Sequence, residues 1–254
     1  MPLDRSTVSI IIPARYGSTR FPGKPLAELG GKPLIQHAYE QASLVTGIHQ
    51  VVIATDDLRI QSVVKGFGGT VHMVTEPCRT GTDRIATVAQ SLSSEIFVNL
   101  QADEILLTPT LLTDLIDPFL ESHALMGTLS RKWPVGESIE DPSIVKLVSS
   151  QEGRALYFSR APIPHLRDKQ EGGTTKPFAS LHLGVYIFQR DALLQFAAWP
   201  TGPLEDFEKL EQLRALEYGL PIQVWKTTEA SLRIDTPKDL VKANRSWHRH
   251  SVGS

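Results

Sequence analysis

Apolar runs of strand length alternate with longer amphipathic stretches along the first half of the chain. Val8–Ile12 ("VSIII") has the continuous pattern of a strand buried on both faces. Pro33–Val45 carries Leu34, Ile35, Ala38, Ala42 and Leu44 at roughly helical spacing behind a proline start. Val51–Thr55 predicts the next strand, and "LRIQSVVKGFGG" predicts a helix ending in glycines. Thr70–Val74, a helix through "RIATVAQSL", Ile96–Leu100 and a helix through "TLLTDLIDPFL" continue the series. Repetition of this kind predicts an α/β fold, a mostly parallel sheet with helices on both faces.

The rhythm breaks after about Ala124. "ALMGTLSRKW", "SIVKLVSSQEGRALYFS" and "LHLGVYIF" (Leu181–Phe188) read as strands with no helix between them, and "SQEG" as a hairpin turn. The polar, glycine-containing "PHLRDKQEGGTTKPF" is expected to be a mobile surface loop. A helix through "LEDFEKLEQLRALEYG", strands at "PIQVWK" and "LRID", and a helix from "TPKDLVKANRSW" follow, with "HRHSVGS" expected to fray. The expected organisation is a single domain over 1–254 with a β-rich subregion at about 125–190.

Charge and cysteine content narrow the class. Lys plus Arg number 26 and Asp plus Glu 28, a formal charge of −2, which argues against a general nucleic-acid binder but leaves room for a local basic cleft. Cys78 is the only cysteine, so no internal disulfide is possible, and a reducing compartment fits. No signal peptide or membrane span is read, so the expected location is cytoplasmic.

The stretch "IIPARYGSTRFPGKP" (Ile11–Pro25) carries the clearest chemistry. It is not a P-loop: five residues separate Gly17 from Gly23, and Lys24 precedes a proline with no hydroxyl for a metal. G-x-G-x-x-G is also absent after this strand, which disfavours a dehydrogenase. The eight histidines are scattered without H-E-x-x-H or a cysteine pair, which disfavours a zinc hydrolase. What remains is a loop at the carboxyl end of the first strand, where open α/β sheets bind ligands. Gly17 and Ser18 let backbone N–H groups approach an anion, while Arg15, Arg20 and Lys24 supply charge suited to a triphosphate. A solvated basic loop stiffened by prolines is the plainer alternative.

Together with "VVIATDD", "TGTDRIA", "VNLQADE", "ALYFSRAPIP", "LHLGVY", "LEQLRALEYG" and "IDTPKDL", in order from about Ser9 to Ala243, this stretch resembles the CMP-Kdo synthetase (3-deoxy-manno-octulosonate cytidylyltransferase) family. The resemblance implies a Rossmann-like nucleotidyltransferase fold, and transfer of CMP from CTP to a sugar acid with Mg2+ and release of pyrophosphate. It assigns Arg15, Lys24 and Asp103 to catalysis, and Asp103 and Asp235 to the metal. It assigns Ser18, Thr80, Gly81, Arg84 and Gln101 to the nucleotide side, with Thr55 and Asp56 as weaker candidates. The acceptor is expected to meet Gln101, Arg160, His182, Tyr186, Glu211 and Gln212. His182 and Tyr186 are four apart in a strand and share a face. Glu211 and Gln212 are expected mid-helix. The plain alternatives are a turn or cap role for Asp103, an N-cap for Asp235 in "DTP", a helix start at Thr80 or Thr82, a half-buried sheet face for His182 and Tyr186, and a hairpin-end surface charge for Arg160. The family is dimeric, which implies a homodimer through the β-rich subregion.

The pattern departs from the family's at Ala102 and Ile105 in "QADEI", at Leu181, at "ASLRI" before "DTP", and at Cys78 and Arg79. An alanine at position 102 would be strained if the backbone there had φ > 0. These changes gather at the acceptor and metal edge. A relative using another acid, an amino variant of Kdo or a smaller acceptor such as phosphonoformate, is the competing enzyme reading. A non-catalytic nucleotide-binding protein is the alternative from another class.

Overall fold

In the computed structural model, all seven residues of β1 (Val8–Ala14) are buried. The structure describes residues 4–17, 21–106, 108–134, 136–165, 167 and 179–251. Along the chain follow β2 (Glu28–Leu29), β3 (Lys32–Pro33), α1 (Leu34–Ser43), β4 (Gln50–Thr55), α2 (Leu58–Gly66), β5 (Val71–Met73), α3 (Gly81–Ala89), β6 (Ile96–Asn99), β7 (Glu104–Leu106) and α4 (Thr110–Leu120). Next come β8 (Met126–Arg131), β9 (Lys146–Ser149), β10 (Ala155–Ser159), β11 (Ser180–Gln189), α5 (Arg190–Ala198), α6 (Pro203–Glu208), α7 (Leu213–Glu217), β12 (Ile222–Lys226), β13 (Ser231–Arg233) and α8 (Pro237–Ser251). Two compact units result, Met1–Thr113 with Glu229–Ser254, and Asp114–Thr228.

The first unit is the parallel sheet that the alternation predicts. β1 pairs in parallel with β4 on one side and β6 on the other, and β4 pairs in parallel with β5. The chain moves outward from β1 to β4 to β5, then returns to β6 beyond β1. Right-handed crossovers therefore place α1 and α2 on one face and α3 on the other. Ile10, Ile11 and Ile12 are fully buried, as a strand covered on both faces requires.

A two-stranded ladder completes this unit: β13 is the strand expected at "LRID", while its partner β7 is not predicted by the periodicity. β7 pairs antiparallel with β13, Ile105 opposite Leu232 and Glu104 opposite Arg233. Ile105 and Ile234 are fully buried in a cluster with Leu29, Leu34 and Ala243, flanked by Phe21, Leu240 and Trp247. The two departures "QADEI" and "ASLRI" thus face each other across one ladder. The last helix runs to Ser251, past the point where fraying is expected.

The second unit is mostly antiparallel, with strand order β10-β9-β11-β8-β12, and only β12 runs parallel to its neighbour. The β-rich stretch expected at about 125–190 lies inside it. α5 is an addition, with Ala192, Leu193 and Phe196 buried along one face. The single helix expected over "LEDFEKLEQLRALEYG" is instead two. Lys209, at φ 52°, ends α6 in a left-handed conformation, and α7 starts at Leu213. The break is held by the buried Arg214 guanidinium, whose Nε and Nη2 donate to Glu205 at 2.7 and 2.6 Å. The Glu217 carboxylate accepts the Leu204 and Glu205 amides at the start of α6. The polar loop expected at 164–178 lies mostly outside the described residues. Among the described residues no helix is long and apolar enough to cross a membrane.

Candidate active site

The reversal of strand order between β1 and β6 opens a crevice at their carboxyl ends, the ligand position of open α/β sheets. Pro13 and Ala14 line it from the end of β1 and Arg15 from just beyond, Gln101, Ala102 and Asp103 from the turn between β6 and β7, and Lys24 and Pro25 from the segment between β1 and β2. Arg15 is exposed there. Ser18, expected on the same loop, lies outside the described residues, as does Arg20.

The ends of the cationic loop are fixed by local chemistry. The Gly23 amide donates to the Tyr16 carbonyl at 2.8 Å, closing the segment on itself. Gly23 has φ +71°, and a Cβ there would lie 3.1 Å from the Tyr16 ring, so both conformation and space call for glycine. Arg59 covers that ring, its guanidinium carbon 3.3 Å from the centroid. Asp57, the N-cap of α2, accepts the Arg59 amide at 2.9 Å and its Nε at 3.0 Å. The Arg59 hydrogen bonds hold the Asp57 carboxyl below its usual range. Sequence reasoning missed Tyr16, Asp57 and Arg59. Asp57 had a readable signal as an N-cap before an apolar-periodic run, but nothing in the sequence pairs Arg59 with Tyr16.

Lys24 joins the two predicted metal carboxylates. Its Nζ lies 2.5 Å from Asp103 Oδ2 and 3.5 Å from Asp235 Oδ1. The β7–β13 ladder sets this geometry: Asp103 immediately precedes β7, and Asp235 follows β13 by one residue. The Ile234 amide donates to the Asp103 carbonyl at 3.2 Å and extends the ladder to the two carboxylates. The N-cap role open to Asp235 falls to its neighbours. Thr236 Oγ1 accepts the Asp239 amide, while Asp239 Oδ2 accepts the amides of Asp235 and Thr236. Burial raises the Asp239 pKa, but the hydrogen bonds from Thr236 and Asp235 together outweigh it and leave it below the usual value. The Asp235 carboxylate faces Lys24 instead.

The loop after β5 also combines cap and site features. Thr80 caps α3 by accepting the Asp83 amide at 3.1 Å. Gly81 sits against the crevice: a Cβ on it would lie 3.2 Å from Pro13 and 3.5 Å from Gln101 Nε2. Gln101 donates to Asn99, and Asn99 to the buried Thr82, so one hydrogen-bonded chain orients the amide that faces the crevice. Arg84 is buried and ion-paired to Asp56 at 2.9 Å, with its Nη1 lacking a hydrogen-bond partner. Thr55 is buried and accepts the Asp57 amide. Ala102 is buried without strain, since Lys209 alone among the described non-glycine residues has positive φ.

In the second unit, His182 and Tyr186 meet, their ring centroids 5.5 Å apart. A regular strand would separate residues four apart by about 13 Å. The contact follows from a bulge in β11, where the register passes from Leu183 opposite Leu129 to Tyr186 opposite Thr128. His182 Nε2 also hydrogen-bonds Thr128 Oγ1 at 3.0 Å. Glu211 and Gln212 are not mid-helix: they form the turn between α6 and α7. Gln212 is 4% exposed, and its Nε2 has no hydrogen-bond partner. Arg160 donates to the backbone carbonyls of Pro142 and Glu208 at 2.9 Å each. The fully buried Lys146 donates to the carbonyls of Asp141 and Arg160, and burial lowers its pKa.

Residues 9–227 match the cytidylyltransferase family model. The 3-deoxy-manno-octulosonate cytidylyltransferase of Geobacter sulfurreducens is 47% identical over 242 residues, covering 92% of this chain and 97% of its own. That of Trichlorobacter lovleyi is 48% identical over 240 residues, covering 92% and 95%.

The chain belongs to the 3-deoxy-manno-octulosonate cytidylyltransferase family.

It is accordingly a CTP-dependent nucleotidyltransferase. A solved structure of CMP:2-keto-3-deoxy-manno-octonic acid synthetase complexed with CTP matches 96% of this chain and 99% of its own at a TM-score of 0.87 and 36% identity. The 4-diphosphocytidyl-2C-methyl-D-erythritol synthase of Anaerococcus prevotii, at 14% identity and a TM-score of 0.64, shares the fold. The family resemblance and the fold class expected from sequence are both borne out.

Proposed function

We propose that this protein transfers CMP from CTP to 3-deoxy-manno-octulosonate. An acceptor oxygen attacks the α-phosphorus, the bond from that phosphorus to the bridging oxygen breaks, and pyrophosphate leaves with the electron pair. The observation that carries the reading is the convergence of Asp103 and Asp235 on Lys24, which with Asp103 lines the β1–β6 crevice. The acceptor is named from the relatives, which carry it at 46–48% identity.

Arg15 and Lys24 grip the triphosphate, Arg15 with a planar fork and Lys24 as a point charge. Asp103 and Asp235 fit Mg2+: two hard oxygen donors on separate segments already converge on one cationic atom, and Mg2+ keeps several waters beside one or two carboxylates. Bound there, Mg2+ would neutralise charge on the phosphate oxygens. Ser18, Thr80, Gly81, Arg84 and Gln101 serve the nucleotide. His182, Tyr186, Glu211 and Gln212 serve the acceptor, with Gln212 Nε2 as a donor awaiting a hydroxyl or carboxylate. Arg160 serves by fixing the backbone around it through its carbonyl contacts.

A homodimer through the second unit accompanies this reading. Leu156, on edge strand β10, is 60% exposed, and Phe207, on α6, is 88% exposed. Light scattering of the purified protein tests it, a monomer mass arguing against. A CTP-consuming enzyme with an unpaired Cys78 suits the cytoplasm.

Pyrophosphate release from CTP and Mg2+ tests the main reading, with 3-deoxy-manno-octulosonate and phosphonoformate compared side by side. Release with the sugar acid and a new phosphodiester signal by 31P NMR support it. Release with phosphonoformate alone reassigns the acceptor, and no release with any acid removes the activity.

A further inference from the structure

We propose that Lys24 is a resident counterion: its ammonium must leave the Asp103–Asp235 pair before a divalent cation enters, which makes metal and polyphosphate binding mutually dependent. The inference rests on the CMP-transfer reading for the identity of the polyphosphate, but its geometry stands on the protein alone. Lys24 Nζ occupies the point on which both carboxylates converge, 2.5 Å from one and 3.5 Å from the other. All three side chains are largely shielded, 14% exposed for Lys24 and 22% and 18% for the two aspartates, so solvent screens them weakly. A divalent cation at that point would stand within contact distance of the ammonium, and repulsion between charges at such range is strong. Metal alone therefore competes with Lys24 and loses much of its affinity.

The backbone at Lys24 is not the part that moves. Gly23, itself left-handed, caps the 3-10 turn Lys24–Leu26 in which Lys24 is the first residue, and the next residue, Pro25, is buried. Only the flexible side chain can be released, and it needs a new anionic partner. The exposed Arg15 lines the same crevice and marks the place of an anion beside Lys24. A polyphosphate bound there takes over the ammonium and frees the carboxylates. By linkage, the metal raises polyphosphate affinity by the same factor.

Mn2+, titrated into the full chain without nucleotide and followed as free ion by electron paramagnetic resonance, tests this. Lys24→Met is expected to bind Mn2+ at least about tenfold more tightly than wild type, and to lose that gain when Asp235→Asn is added. Equal affinities in wild type and Lys24→Met overturn the proposal, as does tight binding that survives Asp235→Asn. Removing the counterion leaves two facing carboxylates and puts folding at risk, so Lys24→Gln serves as a second variant. The wild type gives an independent reading through the 15N signal of its lysine ammonium groups. The Lys24 signal is expected to shift with Mg2+ and CTP together and to stay in place with Mg2+ alone; a shift with Mg2+ alone overturns the proposal. No titration step includes an acceptor or turnover. Failure of the CMP-transfer reading appears separately, as no pyrophosphate from wild type given CTP and acceptor.

Discussion

The guanidinium carbon of Arg59 sits 3.3 Å from the centre of the Tyr16 ring, which ties the first turn of α2 to the loop bearing Arg15 and Lys24. Such a contact contributes about 0.5–1 kcal/mol at an exposed position. Arg59→Ala is expected to raise the KM for CTP by about two- to fivefold and to leave kcat nearly intact, with Arg59→Lys recovering part of the loss. Steady-state kinetics at saturating acceptor check it; an unchanged KM removes the positioning role.

Asp57 supplies the other half of that clamp, and its contribution depends on pH. Hydrogen bonds from Arg59 hold its carboxyl below the ordinary value of 3.8. A depressed carboxylate stabilises the fold above the unfolded value, and this is lost as pH falls through the folded one. Asp57→Ala is expected to cost about 1 kcal/mol near neutrality, as N-cap losses do. The gap from wild type should narrow as pH drops below 3.8, measured by urea midpoints across an acid series. A gap independent of pH would show that the charge contributes nothing.

Gly23→Ala places a methyl group at φ +71° and 3.1 Å from the Tyr16 ring. The left-handed conformation alone costs a non-glycine residue about 1–2 kcal/mol. Lower stability by at least that amount and weaker CTP binding are expected, with Gly23→Asn milder in stability because asparagine tolerates this conformation. Calorimetry of CTP binding and a denaturant melt read the two effects separately.

Arg214 is fully buried against Glu205, so removing one partner strands a charge. Glu205→Gln or Arg214→Met alone is expected to cost about 3–5 kcal/mol. Replacing both with apolar residues of similar volume should recover much of it, as double-mutant denaturation curves would show.

The parallel sheet and its cationic loop were legible because each depends on neighbours in sequence. Val8–Ile12 has to be buried on both faces, and a strand end is where ligands bind. Lys24, Asp103 and Asp235 were named from motifs, but the ladder that joins them was not visible. β13 was expected at "LRID", but the three residues of β7 are too few for a periodic signal, and the two strands meet across more than a hundred positions. The helix over 204–219 was overextended because its apolar spacing is helical throughout. The break comes from a tertiary ion pair and a left-handed Lys209. The closeness of His182 and Tyr186 likewise depends on a bulge set by register with β8.

The pairing of β7 with β13 also has a meaning for biosynthesis. A chain halted on the ribosome before Ser231 would already contain every strand of the parallel sheet, yet it would hold one aspartate where the finished protein has two. The carboxylate pair around Lys24 thus exists only once Asp235 has been made, and a product cut short before it would keep the cationic loop with a single carboxylate facing its lysine.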